Sequence, residues 1–406
     1  MNFIEGGVVA AKGFYANGVH CGIRKNKSKK DLALIYSEVK ASTACVYTTN
    51  KVKGAPLTVT KNNVANGYAQ AVICNSGNAN TCNADGVEVA QNTCIALAKE
   101  LKIDASDIVV ASTGVIGQPL DIAPIVTAIP TLVSGLRDNF GASRDAAEGI
   151  MTTDTRLKEV AVSFEVDGKE CKIGGIAKGS GMIHPNMATM LVFITTDCNI
   201  SPKMLQKALS TDIQSTFNMV SVDGDTSTND MVTVMANGMA GNAIVDSEGE
   251  AFDAFMKALN TITVHLCRNI AYDGEGATKL IECEVYGAKD DKNAKIIAKS
   301  IICSSLVKAA MFGADANWGR ILCAIGYSGA DVDVNKVDVY FKSAKGEILV
   351  CKDGAGVDFS EEIAKEILLE NEITTVVKLG DGDANSVAWG CDLTYDYVKI
   401  NGDYRT

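Results

Sequence analysis

Residues 160–196 read VAVSFEVDGKECKIGGIAKGSGMIHPNMATMLVFITT, and this stretch decides the fold. VAVSFEV (160–166) and ECKIGGIA (170–177) are strand-like runs that flank Asp167-Gly168. Asp-Gly in that setting marks a tight hairpin, because the turn needs positive φ at its central residues. A hairpin requires antiparallel pairing. The run LVFITT (191–196) then reads as a third, buried strand. Between them lies KGSGMIHPNMATM (178–190), whose glycines and proline are ordinary loop punctuation. Loop chemistry does not account for Thr189 at the mouth of that strand.

Toward the N-terminus, LALIYSEV (32–39), ACVYTT (44–49), PLTVT (56–60) and AQAVICN (69–75) read as strands. VEVAQNTCIALAKELKI (87–103) carries apolar residues at helical spacing, and a further helix is expected around 121–136. NSGNAN (75–80) and ASTGVIG (111–117) look like turns, the second directly after the strand-like DIVVA. Toward the C-terminus, KMLQKALSTDIQSTF (203–217), EAFDAFMKALNTITVHLCRNI (250–270) and SEEIAKEILLENE (360–372) read as helices, and ECEVYG, VDVYF and EILV as strands. Strands and helices alternate irregularly around a hairpin. The expected fold class is therefore α/β built from mixed α+β layers, not a doubly wound parallel sheet. No internal repeat and no Pro/Gly/Ser-rich linker interrupts the chain.

The 406 residues can bury a large core without disulfides. A net charge of −11 argues against a nucleic-acid partner, since phosphate-backbone binding depends on clustered Lys and Arg. The one basic cluster, RKNKSKK (24–30), reads as a solvated loop or hairpin tip. Thirteen cysteines are scattered with no CxxC and no zinc-ligand spacing, so free thiols and no metal are expected. Neither a leader-like apolar segment nor a membrane span is evident, and the expected address is the cytoplasm, with no membrane partner.

Only His20, His184 and His265 are available as imidazole bases. His265 falls inside a helix and reads as structural, His20 lies in a Gly-rich turn, and His184 reads as a loop contact five residues before Thr189. VDGDTSTND (222–230) and DGDAN (381–385) superficially suggest calcium loops. Thr228 and Ser386 stand where the loop needs Gly, and Val234 stands where the first needs a bidentate Glu, so both read as Asx-turns. Walker A and GxGxxG patterns are absent, which removes local support for a nucleotide site. ASTGVIG after a strand is either a tight turn or a cradle of backbone N–H groups for an oxyanion.

A threonine hydroxyl is a poor nucleophile unless a base adjoins it. One solution places Thr at the start of a chain, where its own α-amine, with a pKa of about 7.7–8.0, serves as the base. Thr189 is internal as translated, so this chemistry requires scission after Ala188. The small Ala188 leaves room for the hydroxyl to attack the preceding carbonyl.

KGSGMIHPNMATML, NSGNAN, ASTGVIG, MTTDT (151–155), VDGDTSTND, AYDGEGATKL (271–280), ADANWGR (314–320) and the terminal INGDYRT together resemble the ornithine acetyltransferase, or glutamate N-acetyltransferase, family. The resemblance runs the length of the chain with every motif in order. It implies a self-processed N-terminal-nucleophile-type acyltransferase fold of two interlocked segments, 1–188 and 189–406, forming one catalytic unit. It implies autocleavage between Ala188 and Thr189, with Thr189 carrying acetyl from N-acetylornithine to glutamate. Thr113 and Gly114 fall on the oxyanion positions. Thr152 or Thr153, Lys178, Thr189, Glu275, Asn401 and Thr406 fall on the substrate-binding positions. No bound cofactor is implied; acetyl-CoA is a co-substrate in bifunctional members, which share these motifs with monofunctional ones. The assembly implied is a heterotetramer of two cleaved protomers. The rival reading at this level is an amidase or aminopeptidase that uses the same kind of nucleophile with water as acceptor.

Overall fold

The computed structural model describes residues 1–184 and 190–402. Its first half builds most of one sheet. The strands are β1 (Asn2–Ile4), β2 (Phe14–Val19), β3 (Leu32–Tyr47), β4 (Tyr68–Asn78), β5 (Ile108–Val115), β6 (Lys158–Val166), β7 (Lys169–Lys178) and β8 (Leu191–Thr196). β9 (Val220–Ser221) and β10 (Met231–Ala236) follow, then β11 (Leu280–Ala288), β12 (Asp338–Ser343), β13 (Gly346–Lys352), β14 (Ala355–Gly356), β15 (Glu372–Lys378) and β16 (Ala384–Cys391). A nine-stranded sheet runs β1-β6-β7-β8-β10-β3-β4-β5, with β2 also on β3. A seven-stranded sheet runs β14-β13-β12-β15-β11-β16-β9 and draws only on residues after 219.

Pairing is mixed and includes the antiparallel pair that the hairpin requires. β6–β7 and β7–β8 are antiparallel, whereas β8–β10 and β4–β5 are parallel. The hairpin turns at Asp167 and Gly168, with φ of 50° and 73°, the signs its two-residue loop demands. LALIYSEV and ACVYTT are one continuous strand, β3. It pairs with β2 through Leu32–Ser37 and with β10 through Ser42–Tyr47, and a register shift opposite β4 between Tyr36 and Ala41 lets it bend.

The helices are α1 (Ala55–Asn63), α2 (Gly86–Leu101), α3 (Ala123–Ser134), α4 (Phe140–Ile150), α5 (Pro202–Asp212), α6 (Glu250–Tyr272), α7 (Asp291–Cys303), α8 (Ser305–Phe312), α9 (Trp318–Gly326), α10 (Glu361–Leu368) and α11 (Tyr395–Gly402). α6 buries Phe252, Phe255, Leu259, Ile262, Leu266 and Ile270, a stripe at helical spacing. It packs on β6 and β7 of one sheet and β16 of the other, so the largest core lies between the two sheets. A second core lies under α4, and a third joins β3, β4 and β5 to α1, α2 and α3.

PLTVT is not a strand. It forms the body of α1, where Pro56 occupies the first turn without losing a needed donor. Leu57 and Val59 are buried, and the Thr60 hydroxyl donates to the Val110 carbonyl at 2.7 Å while accepting the Val110 N–H at 2.8 Å. These tertiary bonds override the β-propensity of the run. ASTGVIG and NSGNAN also depart from simple turns, since β5 continues to Val115 and β4 to Asn78. All thirteen cysteines are free thiols. Among the described residues, no helix is long and apolar enough to cross a membrane.

Candidate active site

The parallel ladder of β4 and β5 breaks register at its end, where Asn78 is opposed by both Thr113 and Val115. Gly114 is the residue displaced by this bulge, with φ of 136°. A Cβ there would stand 2.3 Å from the Gly77 carbonyl carbon and 2.5 Å from the Asn78 nitrogen, both backbone atoms, so only glycine fits. Bulges at strand ends take backbone groups out of the ladder, and this one faces a cavity of about 350 Å³.

Thr113, Gly114, Thr152, Thr153, Lys178, Glu275 and Asn401 all line that cavity. Both threonines of the Thr152-Thr153 pair reach the wall. Ala188, Thr189 and Thr406 lie outside the described residues. Lys178 ends β7 and is 8% exposed, and no hydrogen bond or ion pair ties its ammonium to another described residue. Glu275, also 8% exposed, accepts from Asn401 Nδ2 at 2.8 Å, which links α11 to the pocket. The Glu275 carboxylate rests against Gly181, where a Cβ would come within 2.3 Å of it.

An ionic cluster that sequence reasoning did not assign braces these segments. Lys158 Nζ, fully buried, bonds Asp154 Oδ1 at 2.7 Å and Asp273 Oδ2 at 2.5 Å. Asp154 also accepts the Gly179 N–H at 2.7 Å and the Thr152 N–H at 3.0 Å. The Asp273 carbonyl accepts from Ser180 Oγ at 2.6 Å, and Glu275 N donates to Ser180 O at 3.0 Å. Burial alone would raise the Asp154 carboxyl, but Lys158 and Lys178, helped by the Gly179 N–H, hold it below the usual carboxylate range. Three loops, around 152, 179 and 274, are thereby fixed to one another. Asp154 and Asp273 stood inside the motifs MTTDT and AYDGEGATKL; nothing in the sequence singled out Lys158.

VDGDTSTND is a structural clamp as well as a turn. Asp223 accepts the N–H groups of Met182 at 2.6 Å and Ile183 at 2.9 Å, and Tyr397 of α11 donates to it at 3.3 Å. Asn229 donates to Ala79 O at 2.6 Å and Ser112 O at 2.9 Å, tying the loop to β4 and β5. His184 Nδ1 lies 3.1 Å from Ser221 Oγ and 3.5 Å from Cys303 Sγ, and burial together with the Lys299 charge pushes the imidazole down to about 4. His265 lies in α6 with its ring 6.0 Å from that of Phe3, and His20 contacts the Lys29 carbonyl and Asp31. RKNKSKK lies in the β2–β3 connection and is more than a solvated tip: Arg24 donates to the Thr152 carbonyl at 2.9 Å. Arg24, Lys25 and Lys29 also wall a second cavity, of about 610 Å³, that meets the first at Thr152.

The ArgJ family profile covers residues 15–406. The arginine biosynthesis bifunctional protein ArgJ of Caldanaerobacter subterraneus subsp. tengcongensis is 52% identical over 407 residues, spanning 100% of each chain. The ArgJ protein of Bacillus subtilis is 48% identical over 405 residues, spanning 99% of this chain and 97% of its own. A crystal structure of ArgJ from Bacillus halodurans is similar with a TM-score of 0.50 and 49% identity, over 53% of this chain and 98% of the solved chain. These likenesses and the mixed α/β body make the protein an acyltransferase of amino-acid biosynthesis. The chain belongs to the ArgJ family, the ornithine acetyltransferases of arginine biosynthesis.

Proposed function

We propose that this protein cleaves itself between Ala188 and Thr189 and then moves acetyl from N-acetylornithine to glutamate through an acetyl-Thr189 ester. The observation that carries the reading is one cavity holding a cation, Lys178, with no hydrogen bond or ion pair to another described residue, and a carboxylate, Glu275, beside the Thr113-Gly114 bulge. A cavity of about 350 Å³ suits a small amino acid. Lys178 meets the substrate α-carboxylate, Glu275 and Asn401 meet an amine, and Thr152 or Thr153 completes the contact. Thr113 and Gly114 face the negative oxygen of the tetrahedral intermediate, where loss of one donor costs about 10²–10³-fold in rate.

Scission frees the α-amine of Thr189, which takes the hydroxyl proton as the oxygen attacks the acetyl carbonyl. The amide C–N bond breaks, ornithine leaves, and the glutamate amine attacks the ester to give N-acetylglutamate and the free threonine. Scission after Ala188 leaves 218 of the 406 residues, or 54% of the chain. The solved Bacillus halodurans chain, matched over 98% of its length, corresponds to 53% of this one, which supports a mature protein of two pieces. The nine-stranded sheet takes β1–β7 from before Ala188 and β8 and β10 from after it, which supports pieces that stay interlocked. Thr406 joins the substrate-binding residues, and two cleaved protomers form a heterotetramer.

The relatives carry the name bifunctional, and acetyl-CoA is the donor to test for a second activity. The experiment separates the acceptors as well: acetyl transfer to glutamate is measured against acetate release, with each donor in turn. Transfer far above release supports the reading. Acetate as the main product makes the protein an amidase and refutes it. Thr189→Ala should remain one chain on a denaturing gel and be inactive.

A further inference from the structure

The acetyl-threonine cycle is one proton short at its midpoint. In the first half the hydroxyl proton passes through the α-amine to the departing nitrogen, and ornithine's freed amine takes up one more proton to leave as an ammonium ion. In the second half glutamate arrives as an ammonium ion and sheds a proton before its nitrogen can attack. The acetylated protein therefore lacks a proton that the resting protein holds, and a group that stores it should stand close to the acyl centre.

Asp230 meets that description. It precedes β10, where Met231 pairs with Leu191 and donates to the Met190 carbonyl at 2.9 Å, so Asp230 lies across the ladder from the residue next to Thr189. Asp230 is 3% exposed, and its Oδ2 has no hydrogen-bond partner among the described residues. A buried carboxyl oxygen left unpaired is destabilising and calls for a reason. With Lys178, Thr113, Ser227 and Met190, Asp230 lines a small cavity of about 20 Å³, which is room for a single water molecule. Thr113, Lys178 and Ser227 line the substrate cavity too, so the two spaces adjoin. The neighbouring Asn229 is fully occupied in holding Ala79, Ser112, Thr81 and Thr228, whereas Asp230 braces nothing with its Oδ2.

We propose that Asp230 and the water-sized cavity beside it form the proton store of the acetyl-transfer cycle. The proposal rests on the acetyl-threonine reading above. In the first half the Asp230 O–H bond breaks, and its proton crosses the cavity water to the departing amine, which leaves as ammonium. The carboxylate that remains faces Lys178. In the second half a proton from the incoming glutamate ammonium returns to Asp230 by the same path, the new N–C bond forms, and the threonine ester C–O bond breaks. Nothing is oxidised or reduced, and the proton count closes over one turnover.

Burial pushes the Asp230 carboxyl well above the usual carboxylate range, against the opposing pull of the Ser227 hydroxyl and Lys178. Lys178, from β7, is the charged group facing Asp230, and Lys178 in turn stands near Asp154 and the Cys74 thiol.

Rapid-quench measurement of acetyl-enzyme formation from N-acetylornithine, without glutamate, tests this between ~pH 6 and ~pH 9 in the wild type, Asp230→Asn and Asp230→Glu. The wild-type rate should rise with pH as the Thr189 α-amine loses its proton and level off above about pH 8. Relative to wild type at the same pH, Asp230→Asn should be about 10²-fold slower at the alkaline end and approach the wild type as the pH falls, because solvent must then supply the proton, and Asp230→Glu should restore most of the rate. An Asp230→Asn protein that matches the wild type, or loses the same factor at every pH, overturns the proposal. Should that variant fail to cleave, difference infrared spectra of the wild type decide. A protonated-carboxyl band should vanish on acetylation and return on adding glutamate, and its persistence overturns the store. Wild-type protein that forms no acetyl-enzyme refutes the acetyl-threonine cycle itself, and the store with it.

Discussion

Replacing Gly181 by alanine perturbs the site without mutating a functional side chain. The new Cβ would lie 2.3 Å from Cδ and Oε2 of Glu275 and 2.5 Å from Oε1, where ordinary contact begins at 3.4 Å. The carboxylate must therefore retreat by roughly 1 Å. It cannot do so freely, since Oε2 accepts from Asn401 at 2.8 Å and the Glu275 backbone is pinned to Ser180 at 3.0 Å. Loss of a hydrogen bond to a charged group costs about 1.5–3 kcal/mol. A misplacement of ~1 Å in a catalytic site lowers activity by ~10²-fold. Gly181 has no positive φ, so the backbone accepts alanine and global stability should change by less than about 1 kcal/mol. Steady-state kinetics should show kcat/KM for N-acetylornithine reduced by about 30–100-fold, with a thermal melt close to wild type. Full activity in Gly181→Ala would refute the claim that Glu275 must stand where it does. A collapse of stability together with activity would show that Gly181 serves the fold instead.

Lys158→Met leaves Asp154 and Asp273 buried without their cation and should cost about 3–5 kcal/mol in denaturant unfolding. The folded-state pKa of Asp154 is depressed, so its contribution is complete above the unfolded carboxylate pKa of about 3.9 and is lost as pH falls below it. Acid unfolding of wild type, set beside Asp154→Asn, checks that sign. Asp230 behaves oppositely. Its folded pKa is raised, so the unfolded state holds fewer protons and stability declines as pH rises above about 4. Asp230→Asn should then be more stable than wild type at neutral pH, with the difference closing in acid. Leu266→Ala, in the stripe between the sheets, should cost about 2–5 kcal/mol in the same unfolding assay.

Periodic signals carried over into structure wherever one element satisfied its own pattern. The apolar stripe of α6 and the Asp167-Gly168 hairpin needed no distant partner to be read. PLTVT misled because its β-branched residues are held helical by Pro56 and by Thr60 bonding into β5, and neither contact is visible locally. The short α8 and α9 escaped notice. They are only 8 and 9 residues long and set by their caps, Ser304 and Asn317, and not by a long stripe. At the site, Thr113, Gly114, Lys178 and Glu275 were singled out by the motifs that hold them, and the structure lines one cavity with all four. Lys158 was not, since a buried cation declares itself only when Asp273, 115 residues away, closes on it. Asp230 passed for an Asx-turn residue because burial, and not spacing, is what distinguishes it.

The central claim is that Thr189 becomes a chain terminus and then carries the acetyl group. Intact-mass analysis of protein mixed with N-acetylornithine, in the absence of glutamate, tests it most directly. Two chains are expected, the larger beginning at Thr189 and heavier by one acetyl group on that residue. A single full-length chain that transfers acetyl at the full rate, or an acetyl group fixed elsewhere, would contradict it.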